Sequence, residues 1–282
     1  MESYLNALND PQLEAVTHQE GPLLIVAGPG SGKTRVLTYR IAHLIQQGVD
    51  PFSILSLTFT NKAAGEMRSR IAQICGDEAR NLYMGTFHSV FARILRVEGQ
   101  RIGYPSNFTI YDTADSRSVI KGLVKQYGLD EKKYKPNQVF TRISQAKNSL
   151  LTYDIYQEDP EIQSEDLSSG RPKTGFLFEQ YVKKCHQSGA MDFDDLLVNF
   201  YKILNAFPDA LYRYQHRFQH LLIDEFQDTN VAQYAIVKKL AAVHHNITVV
   251  GDDAQSIYSF RGATIDNILN FERDFPELQT IK

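Results

Sequence analysis

The sequence predicts an α/β fold: a parallel sheet covered by helices on both faces and interrupted by an all-helical insertion. Short apolar runs alternate with helix-like segments in the two outer parts of the chain. This alternation is typical of parallel strands that are buried on both faces. Between the outer parts, apolar residues recur at helical spacing without strand-like runs. The 282 residues, 43% of them hydrophobic, suffice for a sizeable core.

Five apolar runs are the predicted strands of the sheet. Each is short and continuous, as expected of a strand buried on both faces. Helix-like segments begin near Thr34, Asn61 and His88, and a fourth, VAQYAIVKKLAAV, separates the last two runs. The predicted strands are PLLIVA (22–27), SILSLTFT (53–60), NLYMGTF (81–87), HLLIDE (220–225) and ITVVGD (247–252).

The middle of the chain is the predicted insertion, over residues 112–190, which leaves residues 1–111 plus 191–282 as one discontinuous domain. Its amphipathic segments are DTADSRSVIKGLVKQYG, PNQVFTRISQAKNSLL and FLFEQYVKKCHQSG. The stretch between the last two, EDPEIQSEDLSSGRPKTG (158–175), is rich in Ser, Gly and Pro and is predicted to be a flexible loop. Residues 113–190 carry 12 Lys and Arg against 10 Asp and Glu, so the insertion is slightly basic.

Composition and charge restrict the class of protein. The formal net charge is −3, so a nucleic acid would have to meet local basic patches rather than a basic surface. Cys75 and Cys185 are far apart and indicate neither a disulfide framework nor a zinc site. The N-terminal MESYLNALND is unlike a signal peptide, and no apolar run approaches the length of a membrane span. We therefore expect a cytoplasmic protein without a membrane partner.

The turn AGPGSGKTR (27–35), between the first strand and its helix, is a candidate polyphosphate site. Glycines let the backbone N–H groups point inward, and the start of the helix favours an anion. Lys33 can reach the β- and γ-phosphates, and the Thr34 hydroxyl can bind Mg²⁺. The strict pattern begins with Gly, where this chain has Ala27. The predicted nucleotide-binding residues are Ala27, Gly28, Pro29, Gly30, Ser31, Gly32, Lys33, Thr34 and Arg35.

A second strand, in LLIDEFQDTN, ends in two acidic residues. Asp224 is expected at the carboxyl end of the strand, where parallel sheets bind ligands, and is the candidate second Mg²⁺ ligand. Glu225 is the candidate general base for an attacking water. The two acids could instead cap the following helix. Together with the glycine-rich turn, this strand predicts hydrolysis of a nucleoside triphosphate.

Seven motifs, in the same order and with the same spacing, resemble those of UvrD/PcrA/Rep-type superfamily 1 DNA helicases. The resemblance covers nearly the whole chain and implies a RecA-like P-loop NTPase core that uses ATP and Mg²⁺. It also implies 3′→5′ movement on single-stranded DNA, in DNA repair or replication. The motifs are LNDPQLEAV (8–16), AGPGSGKTRVLTYRI (27–41), LTFTNKAAGEM (57–67), GTFHS (85–89), MDFDDLL (191–197), LIDEFQDTN (222–230) and GDDAQSIYSFRGA (251–263).

The resemblance implies roles for individual residues of the nucleotide site. Gln12 matches the family's adenine-reading glutamine, and an amide can pair with both the donor and the acceptor on the edge of adenine. Arg35 adds contacts near the base. Gln255 matches the γ-phosphate sensor and joins Lys33 and Glu225 as a catalytic candidate.

The resemblance also implies a surface that binds single-stranded DNA, on which aromatic rings stack against bases of any sequence. Family members often have Trp where this chain has Phe260, so stacking there is expected to be weaker. For Phe59 alone, core packing is the alternative, and for His88 a hydrogen-bonded loop position. Asp192, Asp194 and Asp195 are expected to cap or support a helix rather than contact DNA. The candidate DNA-binding residues are Phe59, Thr60, Asn61, Lys62, Thr86, His88, Tyr258 and Phe260.

A motor of this family needs a second RecA-like domain, whose arginines complete the ATP site. An arginine of that kind accounts for about 10³–10⁵ in rate in related enzymes. We therefore expect the chain to be the N-terminal half of a longer protein, nearly inactive alone. Its expected partners are single-stranded DNA, single/double-strand junctions and the second motor domain.

Three other interpretations remain open at this stage. The chain could be the motor of a RecB/AddA-like helicase–nuclease, although its insertion is compact. It could be a P-loop switch or small-molecule kinase, but NKAA (61–64) lacks the Asp of a guanine-reading motif. It could be a DNA-binding module without catalysis, which the intact Lys33, Asp224, Glu225 and Gln255 disfavour.

Overall fold

The computed structural model describes residues 4–28, 30–252 and 264–282 and separates the chain into two compact units. The first unit comprises Met1–Val90 and Phe207–Lys282, and the second comprises Phe91–Ala206. Among the described residues, no helix combines the length and the apolarity that crossing a bilayer requires.

The first unit is built on a six-stranded parallel sheet, so the predicted α/β fold is confirmed. All five predicted strands are present. The outermost strand, Gln279–Ile281, was not predicted because its three residues form no apolar run. In spatial order the strands are β3 (Tyr83–Thr86), β2 (Ile54–Thr58), β6 (His220–Ile223), β7 (Ile247–Gly251), β1 (Leu23–Val26) and β8 (Gln279–Ile281).

Both faces of the sheet are buried along its four inner strands, which explains why those strands are mostly apolar. Ile25, Leu222 and Val250 join one hydrophobic cluster, together with residues of the helices that follow β1 and β2. Neighbouring strand residues such as Leu24 and Val249 point to the opposite face and are also buried. The helices of this unit are α1 (Asp10–Thr17), α2 (Lys33–Gln46), α3 (Asn61–Cys75), α4 (Phe87–Glu98, which continues beyond Val90), α11 (Pro208–Arg217), α12 (Val231–Ala241) and α13 (Thr264–Asp274).

A buried arginine ties three elements of the first unit together. Arg40, on α2, is 2% exposed and donates from Nη1 to the carbonyls of Ala15 and His18, at 3.1 and 2.6 Å. Its Nε donates to Thr248 Oγ1 on β7, at 2.9 Å. No carboxylate pairs with it in the part of the chain that the structure describes. Burial lowers the pKa of Arg40 to about 10, and the carbonyls at the end of α1 supply the negative partial charge that stabilises the cation.

We expect Arg40→Met to lower the free energy of unfolding of the first unit by about 2–4 kcal/mol, because buried carbonyls lose their donor. Urea unfolding followed by circular dichroism measures the change. Arg80→Met is the matched control, since Arg80 is 81% exposed in its ion pair with Asp77, and its effect should stay within about 0.5 kcal/mol. Equal stability of the two variants would contradict the role of Arg40.

The second unit is a helical assembly, as predicted for the middle of the chain. Its core joins buried side chains of the three predicted amphipathic helices with Tyr134 and Tyr156. Two three-residue strands, β4 (Thr109–Tyr111) and β5 (Ala190–Asp192), pair in parallel and were not predicted. The helices are α5 (Thr113–Gln126), α6 (Pro136–Asn148), α7 (Tyr153–Glu158), α8 (Pro160–Ser168), α9 (Thr174–Gln187) and α10 (Phe193–Ala206).

The prediction of a flexible loop over 158–175 was wrong, because α8 occupies Pro160–Ser168. Asp159 caps this helix, its Oδ1 accepting from Glu161 N and Ile162 N at 2.9 and 3.1 Å. Proline at the first helical position has the backbone angle that a helix needs and lacks an N–H that would go unbonded there. The prediction from composition did not take account of these two helix-start signals, Asp159 and Pro160.

The second unit extends beyond the predicted insertion at both ends. It begins at Phe91 and ends at Ala206, whereas the prediction was 112–190. The Phe91 and Phe200 rings, with centroids 4.8 Å apart, and the pairing of β4 with β5 join the two segments that flank the predicted insertion to each other. The predicted domain division at 112 and 190 stays a prediction.

The acidic motif of the second unit caps a helix, as predicted. Asp192 Oδ1 accepts from Asp195 N at 2.8 Å, and Asp195 Oδ2 accepts from Asp192 N at 3.0 Å, at the start of α10. The buried Lys147 Nζ lies 2.7 Å from Asp192 and 2.8 Å from Asp195. Burial opposes ionisation, but the Lys147 ammonium lowers the pKa of Asp192. The motif thus supplies buried charges that hold α6 to α10.

Candidate nucleotide-binding site

The turn between β1 and α2 has the backbone of a phosphate-binding loop. Gly30 and Gly32 have φ angles of 77° and 88°, in the left-handed region that favours glycine. Ser31 N and Ser31 Oγ both donate to Gly28 O, at 3.3 and 2.7 Å. Ala27 N donates to Gly251 O at 3.1 Å, so the small residue in place of glycine continues the pairing of β1 with β7. The loop therefore leads directly into the N-terminus of α2, where backbone N–H groups favour an anion.

Lys33, the first residue of α2, forms an ion pair across the end of the sheet. Its Nζ lies 2.9 Å from Asp252 Oδ2, and Asp252 is 2% exposed. Asp252 directly follows β7, which lies beside β1. Asp252 was not among the site residues predicted from the sequence. The signal that could have found it is an acid at the end of a predicted strand, the same signal that selected Asp224.

Asp224 and Glu225 lie at the end of β6, as predicted. Thr34 Oγ1 donates to Asp224 Oδ2 at 3.2 Å, so the two predicted Mg²⁺ ligands are adjacent. Burial, with the nearby Glu225 carboxylate as a second cause, raises the pKa of Asp224. The acids do not cap α12, because Asn230 does so by accepting from Gln233 N at 2.8 Å.

Gln227, also missed in the sequence, completes a closed circuit of side chains. Its Nε2 donates to Glu225 Oε2 at 2.5 Å, and its Oε1 accepts from Asp252 N at 3.2 Å. The Glu225 backbone N–H donates to Asp224 Oδ1 at 3.0 Å. The circuit runs through Lys33, Asp252, Gln227, Glu225, Asp224 and Thr34 and back to the start of α2.

A cavity of about 470 Å³ lies at this circuit. Positive groups predominate on its wall, which suits a polyanion. Arg70, an exposed residue of α3, joins the wall and was not predicted. The lining residues are Gly30, Gly32, Lys33, Thr34, Arg35, Arg70, Glu225 and Asp252.

Gln12 and Arg35 lie beside the phosphate loop. Gln12 Nε2 donates to Ser31 O at 3.1 Å, and Gln12 Oε1 accepts from Asn9 N at 3.2 Å. A Cβ on Gly32 would lie 3.3 Å from Gln12 Nε2, so the absence of a side chain there leaves room for the amide. Arg35 donates to Ala7 O at 2.9 Å, and its guanidinium lies 5.3 Å from the centre of the Tyr39 ring.

The oxygen atoms of Thr34 and Asp224 fit Mg²⁺, which commonly uses one or two carboxylates together with substrate phosphates. Among the described residues, no group of three or more His, Cys, Asp or Glu side chains forms a separate metal cluster. Burial and the nearby Glu225 carboxylate raise the pKa of Asp224, and a divalent ion beside Asp224 would oppose both effects.

The DNA-binding candidates that the structure describes lie at the carboxyl ends of β2 and β3. These two strand ends are neighbours because Thr58 pairs with Thr86. Phe59 is half-buried, its ring centroid 5.5 Å from that of Phe87. Thr60 caps α3, its Oγ1 accepting from Ala63 N at 3.1 Å. Asn61 and Lys62 are exposed in the first turn of α3, Thr86 Oγ1 accepts from Ser89 N at 3.2 Å, and His88 is half-buried in α4.

Four predicted site residues lie outside the described residues. Pro29 belongs to the phosphate loop. Gln255, Tyr258 and Phe260 belong to the segment that follows β7 and Asp252.

We expect Asp252→Asn to bind a non-hydrolysable ATP analogue about tenfold more tightly, equivalent to about 1.4 kcal/mol. The substitution removes a negative charge that competes with phosphate for Lys33. Titration with a fluorescent analogue measures the affinity. Asp274→Asn is the matched control, since Asp274 pairs with Lys238 at 2.8 Å, outside the cavity lining. Unchanged or weaker binding by Asp252→Asn would contradict this competition.

Comparison with known proteins agrees with this geometry. Residues 8–276 match the UvrD/REP helicase N-terminal domain family. The chain is 46% identical over 282 residues to proteins named ATP-dependent DNA helicase PcrA in Staphylococcus aureus and Staphylococcus epidermidis. The match covers 100% of this chain and 38% of each relative, so the chain spans well under half of their length. The chain belongs to the UvrD/REP helicase N-terminal domain family.

Proposed function

We propose that this chain is the ATP-binding half of the motor of an ATP-dependent 3′→5′ DNA helicase or translocase. The observation that carries the proposal is the side-chain circuit at the end of β1, β6 and β7. It brings a lysine, a threonine hydroxyl and two carboxylates to one cavity, with the buried Asp224 carboxylate hydrogen-bonded behind Thr34, in a chain of a helicase family.

The circuit provides the parts that triphosphate hydrolysis requires. The loop N–H groups and Lys33 bind the β- and γ-phosphates, and Glu225 accepts the proton of the attacking water. Thr34 and Asp224 would hold Mg²⁺, which supplies positive charge beside the phosphate oxygens. Gln255 senses the γ-phosphate from the segment that follows Asp252. Support for these roles comes from the 2.9 Å pair of Lys33 with Asp252 and the 3.2 Å contact of Thr34 with Asp224.

Adenine recognition is assigned to Gln12, with Arg35 beside it. The Gln12 amide accepts from Asn9 N and donates to Ser31 O, and these hydrogen bonds hold it beside the phosphate loop. Its donor and acceptor match those on the edge of adenine. This residue supports ATP rather than GTP as the substrate.

Single-stranded DNA is the proposed polymer, held beside the nucleotide site at the ends of β2 and β3. Phe59, Tyr258 and Phe260 supply rings for base stacking. The exposed start of α3 offers backbone N–H groups and Lys62 to phosphates. The remaining hydrogen-bonding candidates are Thr60, Asn61, Thr86 and His88.

The proposed motor needs a second RecA-like domain that contributes arginines to the ATP site. The relatives are long enough to contain one, since this chain spans 38% of their length. The proposal has three further parts. The substrate includes single/double-strand junctions, the process is DNA repair or replication, and the location is the cytoplasm. Each of these comes from the family resemblance.

A polypeptide of the relatives' length that begins with this chain should hydrolyse ATP faster when single-stranded DNA is added. We expect Lys33→Ala to reduce that turnover by about 10²–10³, because a charge-stabilising donor is lost. A coupled phosphate-release assay measures it, with Lys133→Ala, at an exposed position of the second unit, as the control. An ATP hydrolysis rate that is the same with and without single-stranded DNA, or a preference for GTP over ATP, would contradict the proposal.

Direction of movement can be tested with the same polypeptide on single strands that carry biotin at one end and bound streptavidin. A 3′→5′ translocase runs toward the 5′ end and should displace streptavidin there, with ATP, much faster than from the 3′ end. The reverse pattern would contradict the proposed polarity. No displacement at either end would limit the proposal to DNA-stimulated hydrolysis.

A further inference from the structure

The inference concerns Gln227 and rests on the proposed function, in which Glu225 is the general base. Glu225 has φ 49° and ψ 46°, a left-handed conformation that is uncommon outside glycine. Such strain persists only where surrounding contacts hold the residue in place, and it is frequent at functional sites. The question is which contacts hold this carboxylate.

Gln227 provides the side-chain contact. It is 2% exposed, and its Nε2 donates to Glu225 Oε2 at 2.5 Å. Its Oε1 accepts from Asp252 N at 3.2 Å, so its other end is anchored to the backbone at the end of β7. The turn that carries Gln227 is itself fixed, with Asp228 N donating to Glu225 O at 2.9 Å.

Glutamine suits this position chemically. The group between Glu225 and Asp252 has to donate to a carboxylate and accept from a backbone N–H at the same time. An amide does both, whereas an ionised carboxylate only accepts and a hydrocarbon does neither. A Cβ built on Gly251 would lie 3.5 Å from Gln227 Oε1, which is an ordinary van der Waals distance. The end of β7 therefore does not crowd the amide.

We propose that Gln227 is a positioning residue for the general base. By holding Oε2 of Glu225, it fixes the carboxylate plane and directs Oε1 to receive the proton of the attacking water. Because Asp252 also pairs with Lys33, the same amide links the base to the lysine that meets the phosphates. Positioning of this kind affects the chemical step and leaves nucleotide binding unchanged.

Single-turnover hydrolysis separates positioning from stability. The protein of full length, in excess over radiolabelled ATP with Mg²⁺ and single-stranded DNA, is quenched at short times. The rate constant for pre-bound ATP is independent of the fraction of protein that is folded. We expect Gln227→Met and Gln227→Glu to lower it by about 10–100-fold. Affinity for a non-hydrolysable analogue stays at the wild-type value in Gln227→Met, whereas the added carboxylate of Gln227→Glu weakens it by repelling the phosphates. Gln227→Glu keeps the volume and the acceptor for Asp252 N, and so provides a second variant if Gln227→Met fails to fold.

Gln233→Met is the matched control. Gln233 is a buried glutamine that accepts from Asn230 N at 2.9 Å and has no contact with Glu225, so its variant should retain the wild-type rate constant. A wild-type rate constant in either Gln227 variant overturns the positioning role, as does a loss of nucleotide affinity in Gln227→Met that accounts for the slower rate. A wild-type protein without ATP turnover overturns the proposed function itself, and the role of Gln227 with it.

Discussion

The parallel pairing of β1, β7 and β6 is the constraint on which the rest of the site depends. Parallel strands end at the same edge of a sheet, so residues far apart in sequence meet there. Val26 pairs with Gly251, and Ile223 pairs with Val249. The phosphate loop, Asp252 and Asp224 each follow one of these strands. If β6 or β7 slipped by one residue in its pairing, the side chain that follows it, Asp224 or Asp252, would turn toward the other face of the sheet. Asp252 would then no longer lie beside Lys33.

Hydrogen bonds and ion pairs in the first unit hold the side chains of the site in place. Lys33 has Asp252, Thr34 has Asp224, and Glu225 has Gln227. Each of these side chains thus has a partner, and a ligand exchanges one partner for another instead of entering an unpaired site.

The second unit uses buried charge differently. Lys147 lies between Asp192 and Asp195, with Tyr181 OH donating to Asp192 at 2.8 Å, and all four side chains are buried. The acids cap α10, and the lysine lies on α6. The same residue types therefore hold helices together here, while at the sheet edge they face a ligand cavity. Residue type alone does not distinguish these uses.

The sequence by itself determined five of the six strands of the large sheet, the amphipathic helices and the residues of the phosphate loop, because apolar periodicity and glycine-rich turns are local properties. It also selected Asp224 and Glu225, since acids that follow a buried strand emerge at the sheet edge. It failed for α8, where polar composition outweighed a capping aspartate and a proline, and for β4 and β5, which are too short to show a pattern.

Only the tertiary structure decided which residues are partners. Gln227 and Arg70 carry no local signal that separates them from other polar residues. Asp252 follows a predicted strand, but its pairing with Lys33 depends on a neighbour distant in sequence. The same holds for Arg40, whose acceptors lie on α1 and β7. Local order follows from backbone and side-chain preferences of nearby residues. A site depends on contacts between segments, and those contacts exist only once the sheet has brought the strand ends together.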